Sequence, residues 1–170
     1  MSKSYQRVEL AANITIIFVA LIIGGVLVQK YFFNSESPKK TERVEPIIGS
    51  KINLADVTWS GQPKTLILAL QTTCHFCNDS APFYRKLIDS IKDKNIRLVA
   101  VFPTGVEKSK AHLTELGLNI NEVYQSPLAN LQVSGTPTLI LTNDKGEVTD
   151  FWVGKLPSVK EAEVIEKLKL

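Results

Sequence analysis

Three short apolar runs limit what this chain can fold into. Thr65–Leu70 reads TLILAL, Ile96–Phe102 reads IRLVAVF and Thr138–Thr142 reads TLILT. Uninterrupted runs of this length suit strands buried on both faces, and such strands need cover above and below the sheet. Segments with helical spacing lie between them. Asn78–Lys92 places Phe83, Leu87, Ile88 and Ile91 on one face, and Val106–Leu116 is amphipathic and stops at Gly117. Strands joined by helices are expected to run parallel, with right-handed crossovers. After the third run, Asn143–Gly146 (NDKG) is a turn, and Glu147–Val153 returns as the second arm of a hairpin. Pro157 then opens a final helix, at a position where proline is tolerated. The expectation is an α/β domain, a mixed central sheet with helices on both faces.

This domain fills residues 47–170 of the 170-residue chain. The remainder reads as a short tail at 1–9, an apolar segment at 10–28 and a linker at 29–46. The segment LAANITIIFVALIIGGVLV carries no charge. At about 1.5 Å per residue it is long enough to cross a hydrocarbon core of about 30 Å. Tyr31, Phe32 and Phe33 follow it, as an interfacial aromatic cluster would. Two other readings are a buried core helix and a cleaved signal peptide. Against cleavage, the run is followed by bulky residues and no small-x-small site. An uncleaved single span is the expectation. Lys3 and Arg7 precede it, while Lys30, Lys39, Lys40 and Arg43 follow. The charge count slightly favours a cytoplasmic C-terminal side, but long domains translocate largely regardless of charge. The stretch NSESPKKTERVEP (Asn34–Pro46) is polar and has prolines near both ends, as linkers do.

Chemistry concentrates in Cys74-His75-Phe76-Cys77. These are the only cysteines of the chain, which excludes a disulfide-rich secreted scaffold. The net charge of +3 is small and no long basic run points to nucleic acid. Cys74 follows a buried strand and sits where a helix begins. Unpaired N–H groups and the positive end of the helix dipole favour thiolate over thiol there, and the thiolate is the nucleophile in disulfide exchange. Cys77 lies one turn later, within reach of a mixed disulfide formed at Cys74. A protonated His75 would stabilise the thiolate further. Three structural readings compete. A zinc site wants four ligands, and only His75 and His112 could join the cysteines. A purely structural disulfide would close too small a loop to stabilise much. Two inert core cysteines would not explain CxxC spacing at a strand-to-helix junction.

Val133–Thr138 reads VSGTPT, just before the third strand. Proline cannot donate to a strand ladder, so Pro137 marks a special backbone position. An ordinary trans turn and a cis Thr136–Pro137 bond are both open on residue type, with base rates favouring trans.

With these two motifs in this order, the chain resembles the thioredoxin superfamily over about Gly49–Leu170. In particular it is similar to the membrane-anchored, extracytoplasmic thioredoxin-like proteins of bacteria, the redoxin group related to cytochrome c maturation reductants. Asp144, Lys145 and Gly146 in the hairpin turn match that group. The resemblance implies a thioredoxin-like fold and a cis Pro137. It implies a membrane-tethered thiol–disulfide oxidoreductase of the protein-disulfide reductase type, with a redox-active Cys74–Cys77 disulfide. Cys74 would be the nucleophile and Cys77 the resolving residue, with His75, Phe76, Thr136 and Pro137 supporting. No cofactor or metal is needed, because the cysteine pair carries the two electrons. The implied partners are a cysteine-containing protein substrate and a membrane thiol–disulfide electron donor, with no nucleic acid. The implied location is the cell membrane, with the domain on the extracytoplasmic side.

The pattern departs from the family at several positions. Thr73 replaces the usual tryptophan. Leu68 stands where cytosolic thioredoxin has a buried acid. Asp79 is then a candidate base for Cys77 by proximity, although an acid there is more often a solvated helix-end residue. Two other functions compete. Thiol peroxidases of this fold place proline and threonine where this chain has Ile67 and Gln71. Copper chaperones of this fold use CxxxC with a distal histidine, for which His112 would have to serve.

Overall fold

The computed structural model describes residues 16–25, 45–55, 57–59, 61 and 63–169. The chain divides into two compact units, Met1–Glu42 and Arg43–Leu170. In the first unit, residues 16–25 are helical and their side chains are exposed. Among the described residues no helix is long and apolar enough to cross a membrane. The expected tail at 1–9 and the rest of the expected span at 10–28 lie outside the described residues, as does the linker up to residue 44.

In the second unit the strands and helices run β1 (Lys64–Ala69), α1 (His75–Asp79), α2 (Ala81–Ile91), β2 (Ile96–Phe102), α3 (Val106–Glu115), β3 (Glu122–Gln125), a 3-10 turn at Leu128–Leu131, β4 (Thr138–Asn143), β5 (Val148–Val153) and α4 (Ser158–Lys169). The five strands form one mixed sheet in the order β3-β2-β1-β4-β5. The three apolar runs become its three central strands, and residues 65–69 of β1 are all buried.

Three expectations need correction. The helix expected over 78–92 is two helices, because Pro82 has no N–H to continue the ladder. Ser80 caps the break: its N–H bonds Phe76 O at 3.1 Å and its hydroxyl bonds the same oxygen at 2.8 Å. β4 does not run parallel to β1 but antiparallel, with Leu66 opposite Leu141. The reason is an additional strand: α3 delivers the chain to β3, which pairs parallel with β2 at the edge, and β4 is reached only after the 3-10 turn.

The third correction concerns cover. Neighbouring strand residues point to opposite faces, so the alternation along β1 and β2 separates two cores. Leu66, Leu68, Ala100, Phe102, Leu139 and Leu141 pack with Phe83, Tyr84 and Leu87 of α2, Leu113 of α3, and Val164 and Leu168 of α4. The helices contributing buried residues therefore share one face. On the other face, Ile67, Ala69, Val99, Val101 and Ile140 are covered by Ile52, Leu54, Val57, Leu131 and Val133, from an irregular N-terminal segment and the 3-10 turn. Burying each large aliphatic side chain is worth about 1.5–3 kcal/mol, so irregular cover serves as well as a helix if its apolar residues reach the sheet.

The N-terminal segment is fixed along the outer edge of β5. Gly49 N–H bonds Val148 O at 2.8 Å, Val148 N–H bonds Ser50 O at 2.9 Å and Ile52 N–H bonds Gly146 O at 2.9 Å. This occupies part of an edge that would otherwise expose unpaired backbone groups. At the other edge, Arg97 of β2 holds Glu122 of β3 through both carboxylate oxygens and donates to the Thr58 carbonyl at 2.7 Å.

Candidate active site

The candidate site forms where β1 ends. Leu70 N–H still bonds Val101 O at 3.0 Å, and a turn closed by Cys74 N–H to Gln71 O at 3.2 Å redirects the chain into α1. Cys74 is the N-cap, with extended backbone angles, so its sulfur rather than a hydroxyl meets the free helix N–H groups. The Cys77 N–H lies 3.1 Å from Cys74 Sγ and donates to it. The two cysteines form a disulfide with Cα atoms 5.2 Å apart. Cys74 is half-buried, whereas Cys77 is 1% exposed and belongs to the helix-side core.

A second segment meets the pair. The Thr136–Pro137 peptide bond is cis. Thr136 O lies 3.4 Å from Cys74 Sγ, and the Thr136 hydroxyl bonds Gln71 Oε1 at 3.1 Å. Thr138 Oγ1 donates to Gly135 O at 2.9 Å, which tightens the turn. Gly154, at the end of β5, donates its N–H to Pro137 O at 2.7 Å. Strand β1, the loop before β4 and the loop after β5 thus converge on one disulfide.

His75 and Phe76 project outward, and the Phe76 side chain stays 56% exposed. Asp79 closes α1. Its Oδ2 receives Lys155 Nζ at 2.9 Å and lies 3.5 Å from His75 Nε2. The Lys155 hydrogen bond holds the Asp79 carboxyl below the ordinary carboxylate range; partial desolvation opposes this, and the charge of His75 assists it. A carboxylate held ionised in this way is a weak proton acceptor, and the candidate base is already engaged by the Lys155 ammonium. Leu68 is fully buried on the helix side of the sheet. His112 sits on α3 with its ring edge-on to Phe102, centroids 6.4 Å apart. Among the described residues no three His, Cys, Asp or Glu side chains converge as metal ligands do. A groove of 660 Å³ opens beside the starts of β2 and β3, lined by Thr58, Arg97, Asn119 and Glu122 among others, and touches none of these site residues.

Sequence reasoning did not place Lys155 or Gln71 in the site. Lys155 carried no signal beyond being one of many scattered lysines. Gln71 lies three residues before Cys74, and its contact with Thr136 spans 65 residues.

Solved structures with this architecture are numerous. The thioredoxin domain of a thiol-disulfide oxidoreductase from Bacteroides vulgatus aligns with a TM-score of 0.57 at 20% identity, over 72% of this chain and 98% of that one. A protein described as the thiol:disulfide interchange protein DsbE, from Chlorobium tepidum, aligns with a TM-score of 0.58 at 22% identity, over 74% and 98%. StoA from Bacillus subtilis aligns with a TM-score of 0.52 at 16% identity, over 72% and 97%. No family profile and no curated protein sequence matches the chain. The domain has a thioredoxin-like fold. Its structural neighbours include thiol-disulfide oxidoreductases, and it carries a Cys74–Cys77 pair of its own at the start of a helix.

Proposed function

We propose that this chain is a membrane-anchored thiol–disulfide oxidoreductase that exchanges disulfides with cysteine-containing proteins. The observation that carries the reading is the asymmetry of the pair. Cys74 is half-exposed at the helix start and faces the Thr136 carbonyl, while Cys77 is buried one turn inside.

In the reducing direction, the Cys74 thiolate attacks a substrate disulfide. The substrate S–S bond breaks, a mixed disulfide forms on Cys74, and the departing sulfur takes a proton from water. Cys77, as thiolate, then attacks Cys74 Sγ. The intramolecular disulfide forms, the mixed disulfide breaks, and the second substrate sulfur leaves. Two electrons pass from the pair to the substrate, and a membrane-bound dithiol donor restores the pair by the reverse steps. The exposed Phe76 ring and the Thr136 backbone offer an extended substrate an apolar contact and a hydrogen-bonding edge. Residues 10–28, uncharged and 19 residues long, hold the domain at the cell membrane on its extracytoplasmic side.

The test uses the full chain in detergent, with insulin as the disulfide substrate and dithiothreitol as the donor. The wild type accelerates insulin reduction and Cys74→Ser falls to the uncatalysed rate. A Cys74→Ser protein with the wild-type rate rejects the reading. For the anchor, resistance to alkaline carbonate extraction from membranes is expected, and release into the supernatant counts against it.

A further inference from the structure

Lys155 is not in the CxxC helix, yet it reaches that helix. Its neighbour Gly154 is tied to Pro137 O at 2.7 Å, and its own Nζ lies 2.9 Å from Asp79 Oδ2. Among the described residues, Lys155 and the His75 ring lie within ion-pair distance of Asp79, and both approach the same oxygen. One carboxylate thus links three elements: the helix that starts at Cys74, the loop after β5 and, through Gly154, the turn that faces Cys74.

We infer that Lys155 is a positioning residue which, through Asp79, sets the charge that α1 presents to the Cys74 sulfur. The inference rests on the reading of Cys74 as the attacking thiol. Asp79 ends the helix that Cys74 begins, and His75 adjoins Cys74. With Lys155 in place the Asp79 charge is compensated. Without it, an uncompensated carboxylate opposes the formation of a thiolate in the same short helix. Removing Asp79 does the opposite, because it takes a negative charge out of that helix and frees the Lys155 ammonium.

The two variants therefore carry opposite signs. A purely mechanical clasp predicts the same sign for both, since either change breaks the same contact. All three side chains are partly exposed, so solvent screens the effect to a modest size.

The test measures iodoacetamide alkylation of the reduced full chain against pH, with mass mapping of the modified cysteine, for wild type, Lys155→Met, Asp79→Asn and the double variant. For Lys155→Met the Cys74 midpoint is expected to rise, and the rate near neutral pH to fall about two- to threefold. For Asp79→Asn the midpoint is expected to fall and the rate to rise, with both differences shrinking in 1 M salt. Equal shifts in one direction, or unchanged profiles accompanied only by lower melting temperatures, overturn the inference. If Cys77 is alkylated first in the wild type, the assignment of Cys74 fails and this inference falls with it. That outcome differs visibly from one in which Cys74 leads but ignores Lys155.

Discussion

The backbone N–H of Cys77 donates to Cys74 Sγ at 3.1 Å, while the Cys77 side chain lies buried beneath the helix start. The two sulfurs are therefore inequivalent before any substrate arrives. On reduction, the amide that now meets a disulfide sulfur is placed to meet a thiolate, and a charged acceptor strengthens such a bond. The free N–H groups at the helix start act in the same sense.

From this asymmetry, the reduced wild type is expected to be alkylated at Cys74 well before Cys77 at neutral pH. Quenched labelling followed by peptide mass mapping checks the order.

A second prediction concerns the helix-side core, which holds α2 under the site. Leu87 is fully buried there. Leu87→Ala is expected to cost about 2–5 kcal/mol, the range for emptying a packed leucine site. Chemical denaturation of the full chain in mild detergent measures it.

A third prediction concerns the hairpin turn. Gly146 has φ +77°, and a Cβ added there would lie 2.6 Å from the Trp59 ring. Gly146→Ala combines a left-handed backbone with a close contact and is expected to destabilise by at least about 1 kcal/mol. A melting temperature equal to the wild type's would contradict both contributions, since the left-handed backbone strains alanine even if Trp59 moves aside.

The central strands were legible in the sequence because they are buried on both faces, so their composition alone marks them. β3 was not. It is a short edge strand, EVYQ, in which Val123 alone is buried. The helices expected on both faces failed for a related reason. Ile52, Leu54, Val57, Leu131 and Val133 cover one face without the periodicity of a helix or strand. At the candidate site, the CxxC motif and the proline before β4 are local and could be read directly, whereas the cis bond was implied only by the resemblance, since residue type alone favoured trans. The Asp79–Lys155 pair, 76 residues apart in sequence, depends on how β5 ends, which no local pattern encodes.

A fourth prediction follows from the Arg97–Glu122 pair. The Arg97 hydrogen bonds hold the Glu122 carboxyl below its ordinary value, partly opposed by desolvation. A depressed folded value means that the unfolded chain takes up the proton first as pH falls. The stabilisation is therefore complete above the unfolded value of about 4.3 and is lost as pH drops below it through the folded value. Glu122→Gln is expected to cost about 1 kcal/mol or less at pH 7, since the pair is partly exposed, and nothing further once the wild-type group is protonated. Unfolding of both proteins at pH 7 and at pH 3 tests the sign.

Every step of the proposed exchange depends on Cys74 as the attacking sulfur and Cys77 as the resolving one. The most direct measurement is capture of the mixed disulfide, using reduced Cys77→Ser protein and a folded protein that carries one accessible disulfide. The predicted result is a covalent adduct, cleaved by dithiothreitol, whose cross-linked peptide contains Cys74. The contradicting result is no adduct with Cys77→Ser, together with an adduct on Cys77 when Cys74→Ser is used instead.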